Sequence, residues 1–203
     1  DFEVQLLHRH GLLPKATRVK NPRRTDGIAC EGSTHHANAY GDRVASTHMD
    51  IRPATHDDAE LLATEFWYPL AKQMERYSDL NELHDDAAEH AVAGFERLLD
   101  SDDHRTLLRE VDDDPVAFAH LEFGEHPSRK RDTYLKIVDL YVEEPHRGDG
   151  HGSALVDHAE TLAAREDCDF LKVSAEWQNR PARDFYENRD YEPKQITYAK
   201  PLY

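Results

Sequence analysis

Cysteine is almost missing from this 203-residue chain, which holds two, Cys30 and Cys168. Two thiols this far apart build no disulfide framework and no metal motif, so the expected setting is reducing and cytoplasmic. Long apolar runs are missing too. None approaches the roughly 18 residues of a membrane-spanning helix, and the stretch from Val4 to Leu13 is broken by His8-Arg9-His10. Neither a span nor a secretory signal is expected. Lysine is scarce after position 48, supplying 6 of the 18 bases there, and no internal repeat or low-complexity tract is present.

What is abundant is negative charge, 41 Asp and Glu against 25 Lys and Arg, for a net −16 at pH 7. It is unevenly spread: residues 1–48 hold 5 acids and 7 bases, residues 49–203 hold 36 and 18. Such an excess of carboxylates repels nucleic acid and anionic membranes, so neither is expected as a partner. It resembles the proteins of salt-loving, halophilic microbes, in which molar salt shortens the Debye length to about 3 Å and relieves self-repulsion. Residues 1–48 lack a sustained period and are rich in breakers (Gly11, Pro14, Pro22, Gly27, Gly32, Gly41). They are read as a poorly ordered leader or upstream extension, with the functional polypeptide expected to start at Met49. Residues 49–203 are long enough to bury one core.

Along that domain, Asp50 to Pro53 reads as a short edge strand. Thr55-His56-Asp57-Asp58 then caps an apolar-periodic helix that is expected to end or kink near Pro69. A second helix is expected from Leu83 to Leu99. His104 to Val111 and Pro115 to Phe123, flanking Asp112-Asp113-Asp114, read as an antiparallel hairpin. A central strand follows from Leu135 to Val142, with Leu135, Ile137, Asp139 and Tyr141 on one face and Lys136, Val138, Leu140 and Val142 on the other. A helix from Ser153 to Glu166, a strand from Phe170 to Ala175, a short helix from Pro181 to Asn188 and a last strand from Gln195 to Tyr198 complete the pattern. Between the central strand and its helix lies Arg147-Gly148-Asp149-Gly150-His151-Gly152. Three glycines at alternate positions entering a helix let backbone N–H groups turn toward one point, where the helix dipole also favours an anion. A phosphate-bearing ligand is the expectation.

Other readings of this loop fit less well. A dinucleotide fingerprint needs a glycine where Ser153 stands, and a Walker loop needs Gly-Lys-Ser/Thr, which is absent. The run Asp139-Leu140-Tyr141-Val142 followed by Arg147, Gly150 and Gly152 resembles instead the acetyl-CoA signature of the GCN5-related N-acetyltransferase (GNAT) superfamily, Arg/Gln-x-x-Gly-x-Gly/Ala. Asn179, Ala182, Phe185 and Tyr186 match that family's Asn-x-x-Ala-x-x-Phe-Tyr block. The resemblance covers about residues 49–202. Two departures stand out: Asp190-Tyr191 where the family commonly has Gly-Phe, and Lys136 where some members place a catalytic glutamate.

The resemblance implies a mixed α/β fold, with a centrally antiparallel-to-parallel sheet flanked by helices, and transfer of an acetyl group from acetyl-CoA to a primary amine, a small amine or a protein N-terminus, by direct attack without a metal. Leu140, Tyr141 and Val142 would pair with the pantetheine arm. Arg147, Gly148, Asp149, Gly150, His151, Gly152 and Ser153 would hold the pyrophosphate, and Asn179 would bond cofactor or backbone. Tyr186 would give its proton to the departing thiolate. Asp139, Glu122 and Glu176 are the candidates for holding or deprotonating the amine, Asp139 first. Trp67, Tyr68 and Tyr77 border the acceptor side, with core packing the plainer role for Trp67. His84 and His90, six apart, and His146 and His151 lack metal-site spacing. A non-catalytic acyl-CoA sensor with the same fold is the alternative, and a homodimer is compatible with the family but marked by no sequence feature.

Overall fold

A computed structural model describes residues 49–202. The expected leader over residues 1–48, with Cys30, lies outside them. Strand β1 (Met49–Pro53) pairs antiparallel with β2 (His104–Val111), β2 with β3 (Asp114–Glu125), and β3 with β4 (Thr133–Val142). Only β4 and β5 (Phe170–Val173) run parallel. Sheet order follows chain order, β1-β2-β3-β4-β5, so the expected mixed sheet with flanking helices is present.

The first helix, α1 (residues 59–75), is entered through a cap in which the Asp58 carboxylate accepts from the Thr55 amide at 2.7 Å and hydroxyl at 2.9 Å. Arg52 on β1 donates to both oxygens of Asp58 at 2.8 Å and to Glu110 on β2 at 2.7 Å, fastening the helix start to the sheet edge. Of the two outcomes expected near Pro69, an end or a kink, the end is excluded, since α1 continues to Glu75. Residues Leu62–Trp67 form a π-helical turn in which the Tyr68 amide bonds back five residues to Ala63. That wider turn makes room for a ring that would clash with the preceding turn of a regular helix.

Helix α2 (Ala87–Leu99) begins four residues later than expected. The Leu83 amide is taken by the Glu75 carboxylate at 3.0 Å, which pins that stretch to the end of α1 as a loop. The β2–β3 turn places Asp112 and Asp113 at φ 53° and 70°, the two left-handed positions of a tight hairpin that aspartate tolerates.

Helix α3 (His151–Arg165) follows the glycine loop, starting two residues before the expected Ser153, and α4 (Arg180–Glu187) follows β5. After α4, Asp190 takes φ 62° and the Tyr191 amide closes onto the Tyr186 carbonyl at 3.1 Å. Aspartate thus fills the left-handed place where the family commonly has glycine. The strand expected at Gln195 to Tyr198 does not form: residues 192–202 are exposed, and a lone segment has no neighbour to bond.

One register detail decides the site. Across β3 and β4, His120 is opposite Asp139 and Leu121 is opposite Ile137, leaving Val138 over as a bulge. A one-residue slip flips every later side chain. The faces expected from simple alternation are therefore corrected. Leu135 and Ile137 share the α3 side with Leu140 and Val142. Lys136, Asp139 and Tyr141 face α1 and α2, where Phe66 packs against both Phe118 and Tyr141.

Candidate active site

Strands β4 and β5 pair only from Tyr134 opposite Phe170 to Ile137 opposite Val173. Beyond that point β4 runs on to Val142 without β5, paired with β3 on its other side, and leaves an opening like a wedge. The Glu143 amide bonds to Val116 on β3 at 3.0 Å. Backbone direction alternates along a strand, so Val142 and Leu140 turn their N–H and C=O toward the open side of the wedge. At its mouth lie Gly148 and Gly150, with φ 93° and 86° and no atom within 4 Å of where a Cβ would stand. These glycines serve backbone conformation rather than close packing. Gly150 is the residue before α3, whose first turn has no side-chain cap. The amides of His151, Gly152 and Ser153 are the donors that a helix of this kind leaves for an outside acceptor.

Side chains in the loop behave less simply than the sequence implies. Arg147 points back over the strand end, its Nε donating to the Val142 carbonyl at 2.9 Å and its Nη2 to Gln73 of α1 at 3.3 Å. It sits 5.4 Å from the Tyr141 ring centre. His151 is buried, and its Nδ1 has no hydrogen-bond partner. Burial first, then the Arg109 cation, holds its pKa below the ordinary value, so it is a neutral ring at pH 7. Only its amide faces the loop's ligand side by position. Asp149 is exposed. Gly152 approaches Val142 at 3.5 Å and Phe185 at 4.0 Å, measured from its would-be Cβ, so β4, α3 and α4 meet here.

On α4, Tyr186 is 8% exposed and packs against Phe185 and Tyr191. Burial raises its phenol well above the usual value, and the Asp139 carboxylate adds to the shift, so the hydroxyl keeps its proton at every ordinary pH. Asn179 caps α4 by accepting from the Ala182 amide at 3.2 Å. The three carboxylate candidates lie in different settings. Asp139 is the one whose charge is felt at Tyr186. Glu122 stands 3.7 Å from the buried Lys136 ammonium, with the two side chains 16% and 8% exposed. It is a counter-ion across the strands. Glu176 accepts from Asn81 Nδ2 at 3.2 Å, tying the segment after β5 to the loop after α1.

Sequence reasoning passed over Asn81 and Gln73, which sit in or beside polar stretches with no local pattern. Trp67 is a core residue, 5% exposed. An open cavity of about 520 Å³ lies between α1 and the end of β4, with Glu65, Lys72, Gln73, Tyr141, Glu143 and Glu144 on its walls. Among the described residues, no three His, Cys, Asp or Glu side chains are grouped so as to hold a metal ion, and no helix is long and apolar enough to cross a membrane.

The end of β4, past its pairing with β5, thus lies beside a glycine loop that enters α3, in an α/β sheet flanked by helices. The chain belongs to the Acetyltransferase (GNAT) family, whose model matches residues 64–191; it is an acyltransferase of that family. Solved structures share the fold. A possible acetyltransferase from Clostridium difficile 630 is 23% identical with TM-score 0.63, over 76% of this chain and 98% of that one. An aminoglycoside N-acetyltransferase, AAC(6′)-Iy in complex with CoA, is 16% identical with TM-score 0.61, over 78% and 99%. A ribosomal-protein-alanine N-acetyltransferase from Brucella melitensis biovar Abortus 2308 is 22% identical with TM-score 0.55, over 76% and 100%. No curated protein matches.

Proposed function

We propose that the chain moves an acetyl group from acetyl-CoA to a primary amine, on a small molecule or a protein N-terminus, by direct attack. The observation that carries this is the wedge itself, with Tyr186 and Asp139 at its side and the loop amides at its mouth. The pantetheine arm lies along Leu140, Tyr141 and Val142 and bonds the outward-turned backbone. The pyrophosphate sits on the amides from Arg147 to Ser153. For this, Arg147 leaves the Val142 carbonyl or shares it with the arm. Asn179 contributes by fixing the start of α4, and so the position of Tyr186.

The amine nitrogen attacks the thioester carbonyl, and the oxyanion that forms is met by the Val142 amide. The C–S bond then breaks, the thiolate takes the Tyr186 proton, and the proton that the acylated nitrogen loses returns through solvent to restore the phenol. A phenol kept protonated by burial suits this step, because it holds a proton until a thiolate appears beside it. The amine must arrive uncharged. From a pKa of about 10.4 this costs roughly 4.6 kcal/mol at pH 7, against about 1.1 kcal/mol for an N-terminal amine near 7.8. Asp139 faces that cationic amine and accepts its proton. Glu122 is held by Lys136 and Glu176 by Asn81, which makes both weaker candidates.

Tyr186→Phe is expected to lower turnover about 10- to 1000-fold, a range set against general-acid effects of roughly 10²–10⁴, with acetyl-CoA binding nearly unchanged by calorimetry. Turnover equal to the parent's would remove Tyr186 from the chemistry.

A further inference from the structure

Across the middle of the sheet, on the side of α1 and α2, polar side chains stand in two rows where apolar ones are the rule. Thr106, His120 and Asp139 are opposite one another on β2, β3 and β4, and His104, Glu122 and Lys136 form the next row. The bulge at Val138 brings Asp139 and Lys136 to the same face. His104, Thr106, His120 and Lys136 are all buried.

One pair in this band is bonded in a way that leaves its charge open. His120 Nε2 lies 3.1 Å from His104 Nδ1, and His120 Nδ1 lies 2.9 Å from the Thr106 hydroxyl. The two rings are 10° from parallel, and Phe95 of α2 meets His120 edge to face. A neutral imidazole has one N–H and one lone pair, an imidazolium two N–H groups. Both partners of His120 can accept as well as donate, so both of its nitrogens are satisfied in either state. Burial by itself would expel the charge, and a carboxylate nearby would keep it. Of the two carboxylates in the band, Glu122 faces the Lys136 ammonium at 3.7 Å, and Asp139 stands opposite His120. Directly opposed residues hold their Cβ atoms about 5 Å apart.

We propose that His120 and His104 are positioning residues for the transfer: the proton they share sets the charge that Asp139 presents to the amine. This rests on the reading of Asp139 as the group that meets the acceptor. With the proton on the pair, the carboxylate is countered from within the sheet, and an incoming ammonium is a second cation that the pair repels. With the pair neutral, Asp139 presents its full charge, holds the ammonium and takes its proton. The hydrogen bonds to His104 and Thr106 keep the ring in place in both states, so only the charge changes. Because the rings are bonded to each other, the proton belongs to the pair, and it leaves in the range where imidazoles titrate, about pH 5 to 8. Rising pH therefore removes the proton and uncovers Asp139.

Nitrogen-15 NMR of the full chain follows the His120 ring from pH 5 to 8. Its midpoint should fall by about one pH unit or more in Asp139→Asn, the size of effect expected when a neighbouring opposite charge is lost. The second measurement is the pH profile of kcat/KM with acetyl-CoA and the fastest acceptor from a panel of alkylamines and peptides with free N-termini. In the ratio of parent to His120→Gln the acceptor's own titration cancels. That ratio should fall about tenfold for each pH unit below the NMR midpoint, with KM for acetyl-CoA changed less than about twofold. Thr106→Val, which removes only the hydroxyl, should lower the NMR and kinetic midpoints together, and it serves if His120→Gln does not fold. A His120 midpoint that Asp139→Asn leaves in place, a ring that keeps one charge throughout, or a kinetic ratio flat from pH 5 to 8 would overturn the proposal. An absence of turnover with every amine would overturn the transferase reading and with it the role given to the pair. The NMR titration needs no acceptor, so an intact coupling there would place the fault in the reaction and not in the pair.

Discussion

The two faces of the sheet are built from different materials. Toward α3 and α4 the buried residues are aliphatic: Leu107, Ala117, Ala119, Leu121, Leu135 and Ile137 meet Leu155, Val156 and Ala159. Toward α1 and α2, an aromatic cluster around Phe66, Phe95 and Phe118 gives way to buried polar groups. There His104 Nδ1 and His120 Nε2 lie 3.1 Å apart, Thr106 bonds His120 at 2.9 Å, and Lys136 pairs with Glu122. Tight aliphatic packing holds α3 against the sheet, and Tyr186 of α4 is buried at its edge. Polar groups on the opposite face are held by partners, so each depends on a neighbour from another strand. One face is held by packing, and the other by polar pairs.

This contrast can be broken from either side. Leu155→Ala, fully buried on the aliphatic face, should cost the most, about 4 kcal/mol in urea denaturation, because a cavity there has no polar group or solvent to fill it. A loss under about 1 kcal/mol would mean that α3 is not held by packing. On the polar face the expected behaviour is non-additive. Lys136→Met alone should cost about 2 kcal/mol by leaving the half-buried Glu122 without its counter-ion, whereas Lys136→Met with Glu122→Met should lose less than about 1 kcal/mol. A double-mutant cycle measures this, and simple additivity would remove the pair from the account.

The smallest effect concerns the sheet edge that both faces share. The Arg52 guanidinium, with the Thr55 amide and hydroxyl, holds the Asp58 carboxyl down to about 2. A carboxylate depressed in the folded state stabilises it fully above its unfolded pKa of about 3.9, and that contribution is lost as pH falls through about 2. Asp58→Asn should therefore lower stability by about 1 kcal/mol at pH 7 and flatten the fall between pH 4 and 2. An unchanged acid limb in thermal melts would count against it.

Much of the fold was legible in the chain. Arg147 to Gly152 announced a turn into a helix because glycines at set positions act through the local backbone, and Asp112-Asp113 announced a hairpin for the same reason. Asn179 and Pro181 marked the start of α4. Other features were hidden. The bulge at Val138 could not be seen in Ile137-Val138-Asp139-Leu140, where apolar residues lie on both sides of the slip and only the pairing with β3 chooses. The persistence of α1 through Pro69 depended on a π-helical turn that no propensity predicts. The strand expected near Ile196 has the right pattern and no neighbour within its own described chain.

The same division runs through the site. Local sequence determined the glycine loop, the order of strands and helices as far as α4, and the place of Tyr186 in the last turn of α4, because these depend on neighbours a few residues apart. Tertiary structure decided the setting of each carboxylate. The charge of Asp139 is felt at Tyr186, Glu122 pairs with Lys136, and Glu176 bonds Asn81 from 95 positions away in the chain. Such pairings follow from strand register and helix packing, where a shift of one residue moves a side chain to the opposite face of the sheet.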